Sequence, residues 1–371
     1  MVGSKEQGTD SSFFFETAMT LFRPNITAMS PYVPGEQPGV GERVIKINTN
    51  ENPYPPSPAA MKVLREFDGE RLRRYPQPTA RAFAEAAGAV LGYDADWILP
   101  GNGSDDLLTM IFRACTEPGR AAAYPMPTYT LYRTLARIQN AEAVEVPFDD
   151  DYHLPADGLA AAGAAVTLVA NPNAPSGTLF SPVELDALAG RVKGLMVIDE
   201  AYVDFADSSA IELPRRRPNV IVLRSISKGY SMAGLRLGFG VARPEILTEL
   251  MKVKDSYNVD ALACAVGAAA ITDQAYRNRC AAKVRASREL LAGQLEAMGF
   301  RVWPSQANFL LVRPPRLQAR EIYERLKKRG ILIRYFQQPK LDDKLRISIG
   351  TADDNAQLVR AIGEILARGE L

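Results

Sequence analysis

Short apolar runs alternate with helix-compatible segments through the middle of this chain, and that alternation constrains the fold more than any other feature. Runs at 121–124, 143–146, 165–170, 195–198, 220–223 and 238–241 have strand length and are almost uniformly apolar. Strands buried on both faces read this way, and buried strands separated by helices form a largely parallel sheet. Segments 105–114, 129–138 and 182–191 supply the intervening helices. Beyond residue 280 the rhythm changes. A long charged helix over 281–298 leads to short strands near Phe300, at 309–312 and at 345–349, with helices at 319–329 and 355–366. That is the pattern of a smaller α+β module.

A chain of 371 residues exceeds one ordinary domain. The expected division is a large α/β domain over 60–285, a small α+β domain built from 20–59 and 286–371, and a flexible tail over 1–19. The formal net charge is +1, so nothing in the charge balance favours nucleic acid or an anionic membrane. Cys115, Cys264 and Cys280 are widely spaced and odd in number, which gives neither a zinc spacing nor a disulfide framework and fits a reducing compartment. Phe13, Phe14 and Phe15 lie in a polar, acid-containing stretch without the basic and apolar regions of a signal peptide. A cytoplasmic protein is expected.

The chain holds a single histidine, His153, in the polar segment Asp149-Asp150-Asp151-Tyr152-His153. One histidine rules out a multi-histidine metal site, and its place in a polar segment reads as a loop residue rather than the centre of a triad; no metal is expected. Attention moves to Lys228, in Ser225-Ile226-Ser227-Lys228-Gly229, with Arg236 eight residues further on. A lysine that attacks an aldehyde must be desolvated and closely approached, and small hydroxylic neighbours leave that room. Arg236, Ser225 and Ser227 suit a phosphate. By itself the segment equally fits a solvated loop between a strand and a helix.

In an open parallel sheet, ligands bind beyond the carboxyl ends of the strands. Gly101-Asn102-Gly103-Ser104-Asp105-Asp106 precedes a helix, so the amides of Gly103, Ser104 and Asp105 form an anion cradle or, equally, a capped glycine turn. Asn171-Pro172-Asn173-Ala174-Pro175-Ser176-Gly177 follows one buried strand, and Asp199-Glu200-Ala201-Tyr202 follows another. A carboxylate there needs a partner. The protonated nitrogen of a pyridine ring is one, and Asp199 fits that role; an N-cap is the plainer reading. Tyr202 and Tyr129 are candidates to flank the same ring.

Taken in order, these motifs resemble the fold-type I, class II aminotransferases, and within them the histidinol-phosphate aminotransferase family. The resemblance runs from about Arg23 to Leu366 and includes Asn50-Glu51-Asn52-Pro53-Tyr54, Arg74-Tyr75-Pro76 and Leu345-Arg346-Ile347-Ser348-Ile349-Gly350. It implies a mainly parallel seven-stranded sheet flanked by helices, pyridoxal 5'-phosphate as cofactor, and a homodimer with shared active sites. Lys228 is then the Schiff-base lysine and proton carrier. Asp199 pairs the ring nitrogen, Tyr202 the phenolic oxygen, and Tyr129 stacks on the ring. Gly103, Ser104, Asp105, Ser225, Ser227 and Arg236 hold the phosphate, with Tyr75 reaching over from the second subunit. Arg346 takes the substrate carboxylate, while Tyr32, Asn52, Arg334 and the partner's copy of Tyr257 meet its side chain and phosphate.

The implied reaction is ping-pong transfer of the amino group of L-histidinol phosphate to 2-oxoglutarate, giving imidazole acetol phosphate and glutamate in histidine biosynthesis. One departure from the family pattern stands out. Ala174 occupies the place of an asparagine that meets the phenolic oxygen, and Asn173 beside it is expected to substitute. Aromatic or broad-range transamination and phosphothreonine decarboxylation remain alternatives on the same scaffold. A non-catalytic binding protein is the reading least compatible with Lys228, Asp199 and Arg236.

Overall fold

The computed structural model describes residues 21–30, 35–39, 41 and 44–367. Its strands in chain order are β1 (Ile45–Lys46), β2 (Ile98–Gly101), β3 (Ala122–Met126), β4 (Ala143–Pro147), β5 (Val166–Ala170), β6 (Leu195–Asp199), β7 (Val220–Ser225), β8 (Gly238–Val241), β9 (Arg301–Val302), β10 (Phe309–Arg313), β11 (Ile331–Leu332), β12 (Arg334–Tyr335) and β13 (Leu345–Ser348). Seven of them form one sheet in the order β2-β8-β7-β6-β5-β3-β4. Strands β7, β6, β5, β3 and β4 run parallel, and β8 is antiparallel to both β7 and β2. The mainly parallel seven-stranded sheet is therefore present.

Alternation along the strands divides the core into two layers, because successive side chains of a strand point to opposite faces. Val197, Ile221 and Leu223 pack with Leu107, Ile111, Phe112 and Tyr132 of the helices Ser104–Cys115 and Leu131–Ile138. Met196, Ile198, Val220 and Val222 face Leu185 and Leu188 of the helix Pro182–Ala189. Complete burial of a Val, Leu or Ile side chain contributes roughly 1.5–3 kcal/mol, so these continuous runs anchor the sheet. A third cluster packs Phe83, Val266 and Phe239 where the helices Arg81–Leu91 and Ala261–Thr272 cover the β2–β8 edge.

The C-terminal core gathers Leu310, Val312, Leu345 and Ile347 with Ala281, Val284, Leu291 and Leu295 of the helix Gln274–Ala297. Strands β12, β13, β10 and β9 form a separate sheet beneath it. The N-terminal β1 pairs in parallel with β11, Ile45 opposite Ile331 and Lys46 opposite Leu332. That pairing carries residues 47–54 across to the carboxyl ends of the large sheet. The expected tail over 1–19 lies outside the described residues.

Candidate active site

Four strand ends converge on one place. Gly101 ends β2, Ser225 ends β7, and both stand opposite Gly238 at the start of β8. A Cβ on Gly238 would lie 2.5 Å from the Ser104 backbone nitrogen, so glycine there is what lets the Gly103–Ser104 turn close over the strand. The helix Ser104–Cys115 begins at that turn. Ser227 N–H donates to Ser225 Oγ at 3.1 Å, turning the chain toward Lys228. Arg236 reaches back from a left-handed backbone (φ 53°) to Asp105 Oδ2 at 3.3 Å. Gly103 has φ +80°, and a Cβ there would come within 2.7 Å of Arg236 Nη2. The first amides of that helix, the Arg236 guanidinium and the Ser225 and Ser227 hydroxyls are thus brought together, a donor set suited to a phosphate.

Asp199 ends β6 with 5% of its surface exposed. Tyr132 O–H donates to its Oδ2 at 2.9 Å and Ala201 N–H to its Oδ1 at 3.2 Å. Burial nevertheless pushes the carboxyl up to about 6, and a cation beside it would favour the ionised form. Tyr132 was not among the residues expected here. It lies three positions after Tyr129, at the start of one helix, and the two rings meet edge to face at 5.7 Å. That spacing was the available signal. Tyr129 O–H donates to Asp105 Oδ1 at 3.2 Å, joining the ring wall to that donor set.

Lys228 Nζ donates to the Thr49 carbonyl at 3.0 Å. Burial pushes its ammonium down to about 8; Arg346 and Arg236 push the same way and Glu51 opposes them. The loop itself is clamped by Asn52, whose Nδ2 donates to the Lys228 carbonyl at 2.9 Å while its Oδ1 accepts from Tyr54 N–H at 3.1 Å. Gly229 is required beside it, since a Cβ there would lie 2.1 Å from Asp204 Oδ2.

Asn173 does not reach this site. It is fully buried in its own turn, with Oδ1 accepting from Thr128 Oγ1 at 2.7 Å and Nδ2 donating to Ser176 Oγ at 2.9 Å and to the Pro127 carbonyl at 3.3 Å. Both ends of the amide are committed, which corrects the expectation that it replaces the asparagine missing at Ala174. Ala174 packs with Ala307, Phe309 and the ring of Tyr202. The Tyr202 hydroxyl instead accepts from Asn50 Nδ2 at 3.0 Å.

On the small-module side, Arg334 and Arg346 stand directly opposite each other on β12 and β13. Their guanidiniums lie 5.3 and 5.6 Å from the same Phe336 ring, and Arg346 Nη2 donates to the Asn48 carbonyl at 2.9 Å. Like charges across a strand pair repel unless an anion joins them. Tyr75 and Tyr257 stack at 4.5 Å on the surface of the same chain, 82% and 43% exposed. Asn258, next to Tyr257, donates to Asp106 Oδ2 at 2.8 Å, anchoring that aromatic pair near the phosphate donor set. Tyr32 lies outside the described residues. His153 is exposed, its Nδ1 2.7 Å from Asp149 Oδ2.

Residues 42–362 match the model of the family described as aminotransferase class I and II. The chain belongs to that family. This aminotransferase is 57% identical over 93% of its length to histidinol-phosphate aminotransferase 1 of Trichormus variabilis, covering 99% of that protein. It is 43% identical to histidinol-phosphate aminotransferase of Citrifermentans bemidjiense, across 94% of this chain and 99% of that one. The crystal structure of histidinol-phosphate aminotransferase from Sinorhizobium meliloti with pyridoxal-5'-phosphate superimposes with a TM-score of 0.86 at 28% identity, covering 94% of this chain and 98% of that chain. The enzyme is pyridoxal-phosphate dependent. The donor set at Gly103 and Arg236, the buried Asp199 and the depressed Lys228 amine fit that group in charge and nucleophilicity.

Proposed function

We propose that this aminotransferase moves the amino group of L-histidinol phosphate to 2-oxoglutarate, releasing imidazole acetol phosphate and glutamate. The observation that carries the reading is the 57% identity, over 93% of the chain, to a protein named for that substrate. The opposed guanidiniums of Arg334 and Arg346 support it, because the enzyme must accept a phosphate in one half-reaction and carboxylates in the other.

Gly103, Ser104, Asp105, Ser225, Ser227 and Arg236 would hold the cofactor phosphate, Asp199 the ring nitrogen, Tyr202 the phenolic oxygen and Tyr129 one ring face. Pyridoxal phosphate supplies an aldehyde that joins the donor's amino group and a ring that disperses the electron pair left when the Cα–H bond breaks. Lys228 Nζ, with its ammonium pushed down to about 8, would hold the cofactor covalently and, when free, be neutral often enough to serve as the base for the substrate Cα proton. Asp199 stays ionised against a cationic ring nitrogen, since an opposite charge reverses the cost of its burial. Arg346 orients the substrate carboxylate and Arg334 the phosphate, with Tyr32 and Asn52 completing that wall.

The division into a unit over 60–285 and a second over 20–59 and 286–371 would place this wall on the smaller unit. The exposed Tyr75–Tyr257 pair is read as the place where a second copy completes the site, giving a homodimer. We place the enzyme in the cytoplasm; among the described residues no helix is long and apolar enough to cross a membrane. The test is turnover with histidinol phosphate, glutamate, phenylalanine and phosphothreonine as separate donors. Histidinol phosphate should give the highest kcat/KM. A higher value for phenylalanine, or carbon dioxide released from phosphothreonine, sinks the substrate assignment and leaves the family intact.

A further inference from the structure

Tyr202 is held in two ways. Its ring lies in an apolar slot of Ala174, Ala307 and Phe309, with Phe309 edge-on at 5.0 Å. Its hydroxyl accepts a hydrogen bond from Asn50 Nδ2 at 3.0 Å. An amide nitrogen only donates, so the hydroxyl oxygen is the acceptor in that bond and its own proton is directed elsewhere.

Asn50 is 1% exposed and has φ 58°, a left-handed conformation that asparagine tolerates better than most residues. Three bonds besides the one to Tyr202 tie it to Ser348 and Asn308. Its N–H donates to Ser348 Oγ at 2.9 Å, its Oδ1 accepts from that hydroxyl at 2.8 Å, and its carbonyl accepts from Asn308 Nδ2 at 2.9 Å. Ser348 N–H in turn donates to the Ile47 carbonyl at 3.0 Å. With Oδ1 accepting from Ser348 Oγ–H, the amide nitrogen is the end of Asn50 that faces Tyr202. Ser348 also shares β13 with Arg346, two residues away.

We propose that Asn50 is the positioning residue for the Tyr202 hydroxyl, and that Ser348 ties this orientation to the strand carrying Arg346. The inference rests on the reading of Tyr202 as donor to the phenolic oxygen of the cofactor. With Ala174 committed to the apolar slot and Asn173 to its own turn, the amide that aims this hydroxyl comes from the N-terminal segment. Asn50 touches neither substrate nor cofactor in this role. It acts through Tyr202.

The test is the pH titration of the visible chromophore formed between Lys228 and pyridoxal phosphate in the purified holoenzyme. A donor to the phenolic oxygen stabilises its negative charge, so losing that donor favours the protonated chromophore and raises the midpoint. Asn50→Gly removes the amide while tolerating the left-handed backbone. It should raise the midpoint on the order of 1 pH unit, as should Tyr202→Phe, and the double variant should shift no further than Tyr202→Phe alone. Ser348→Ala should move the midpoint in the same direction by less, and it carries the test if Asn50→Gly fails to fold. An unshifted Asn50→Gly beside a shifted Tyr202→Phe overturns the proposal, as do fully additive shifts. An unshifted Tyr202→Phe is a different result: it overturns the reading of Tyr202 itself, whatever Asn50 does.

Discussion

Lys228 Nζ meets the carbonyl of Thr49 at 3.0 Å, a contact between residues 179 positions apart. It makes the N-terminal segment one wall of the site and withdraws the amine from water.

That withdrawal has a measurable pH consequence. In the ligand-free chain the unfolded state keeps the Lys228 proton to about 10.5, whereas the folded state releases it near 8. The unfolded state binds more protons between those values, so stability rises with pH across that window. The contribution is up to roughly 3 kcal/mol. Denaturant unfolding of the apoprotein should show the rise. Lys228→Met should abolish it, and should be the more stable of the two below pH 8.

Asp199→Asn keeps a side chain able to accept from Tyr132 but removes the charge that faces the ring nitrogen. Losing a preorganised charge at the reacting centre costs about 100- to 1000-fold in rate. Single-turnover kinetics should place that loss in the Cα–H step, with substrate binding little changed. An unchanged rate removes Asp199 from the ring nitrogen.

Arg346→Lys keeps a positive charge and discards the planar fork. A charge-assisted pair contributes about 1.5–3 kcal/mol, so KM for glutamate and 2-oxoglutarate should rise roughly 10- to 100-fold, with Arg346→Ala at the upper end. Steady-state kinetics with both substrates varied decide it. If only histidinol phosphate is affected, the roles of Arg334 and Arg346 are exchanged.

Subunit sharing can be read by mixing two inactive variants. If Tyr75 acts across a dimer interface, refolding Lys228→Ala with Tyr75→Ala creates hybrids with one intact site, recovering about a quarter of wild-type activity. If Tyr75 serves its own chain, mixing restores nothing. Sedimentation of the wild type should give a dimer.

Gly103→Ala puts a Cβ 2.7 Å from Arg236 Nη2 on a backbone with φ +80°. Arg236 must move, and the phosphate donor set is disturbed. Pyridoxal phosphate affinity should fall by about 10-fold or more, the scale of one strained contact, measured by equilibrium dialysis. Gly234→Ala, which meets nothing within 4 Å, is the control.

Six of the seven large-sheet strands were legible as short, largely apolar runs, antiparallel β8 among them. The seventh, β2, was hidden by Pro100 and Gly101, which read as strand breakers; an edge strand tolerates them. The helix Gln274–Ala297 begins seven residues before its expected start because its first two turns are polar, with Asp273 capping Tyr276 N–H. Lys228 and Asp199 could be found from strand ends alone. Asn50, Asn308 and Ser348 could not, since they meet across 258 and 298 positions and each is an ordinary polar residue by itself. Asn173 was misassigned for a related reason: adjacent residues of a turn face different ways, and only packing says which one faces the ring.

The parallel pairing of β1 with β11 sets an order of events during synthesis. Ile45 is translated long before its partner Ile331, and Asn50 long before the Ser348 that secures it. The segment bearing Thr49, Asn50 and Asn52 therefore has no place to dock until both have been made, after Lys228 itself. Burial of the Lys228 amine thus depends on segments translated on either side of it.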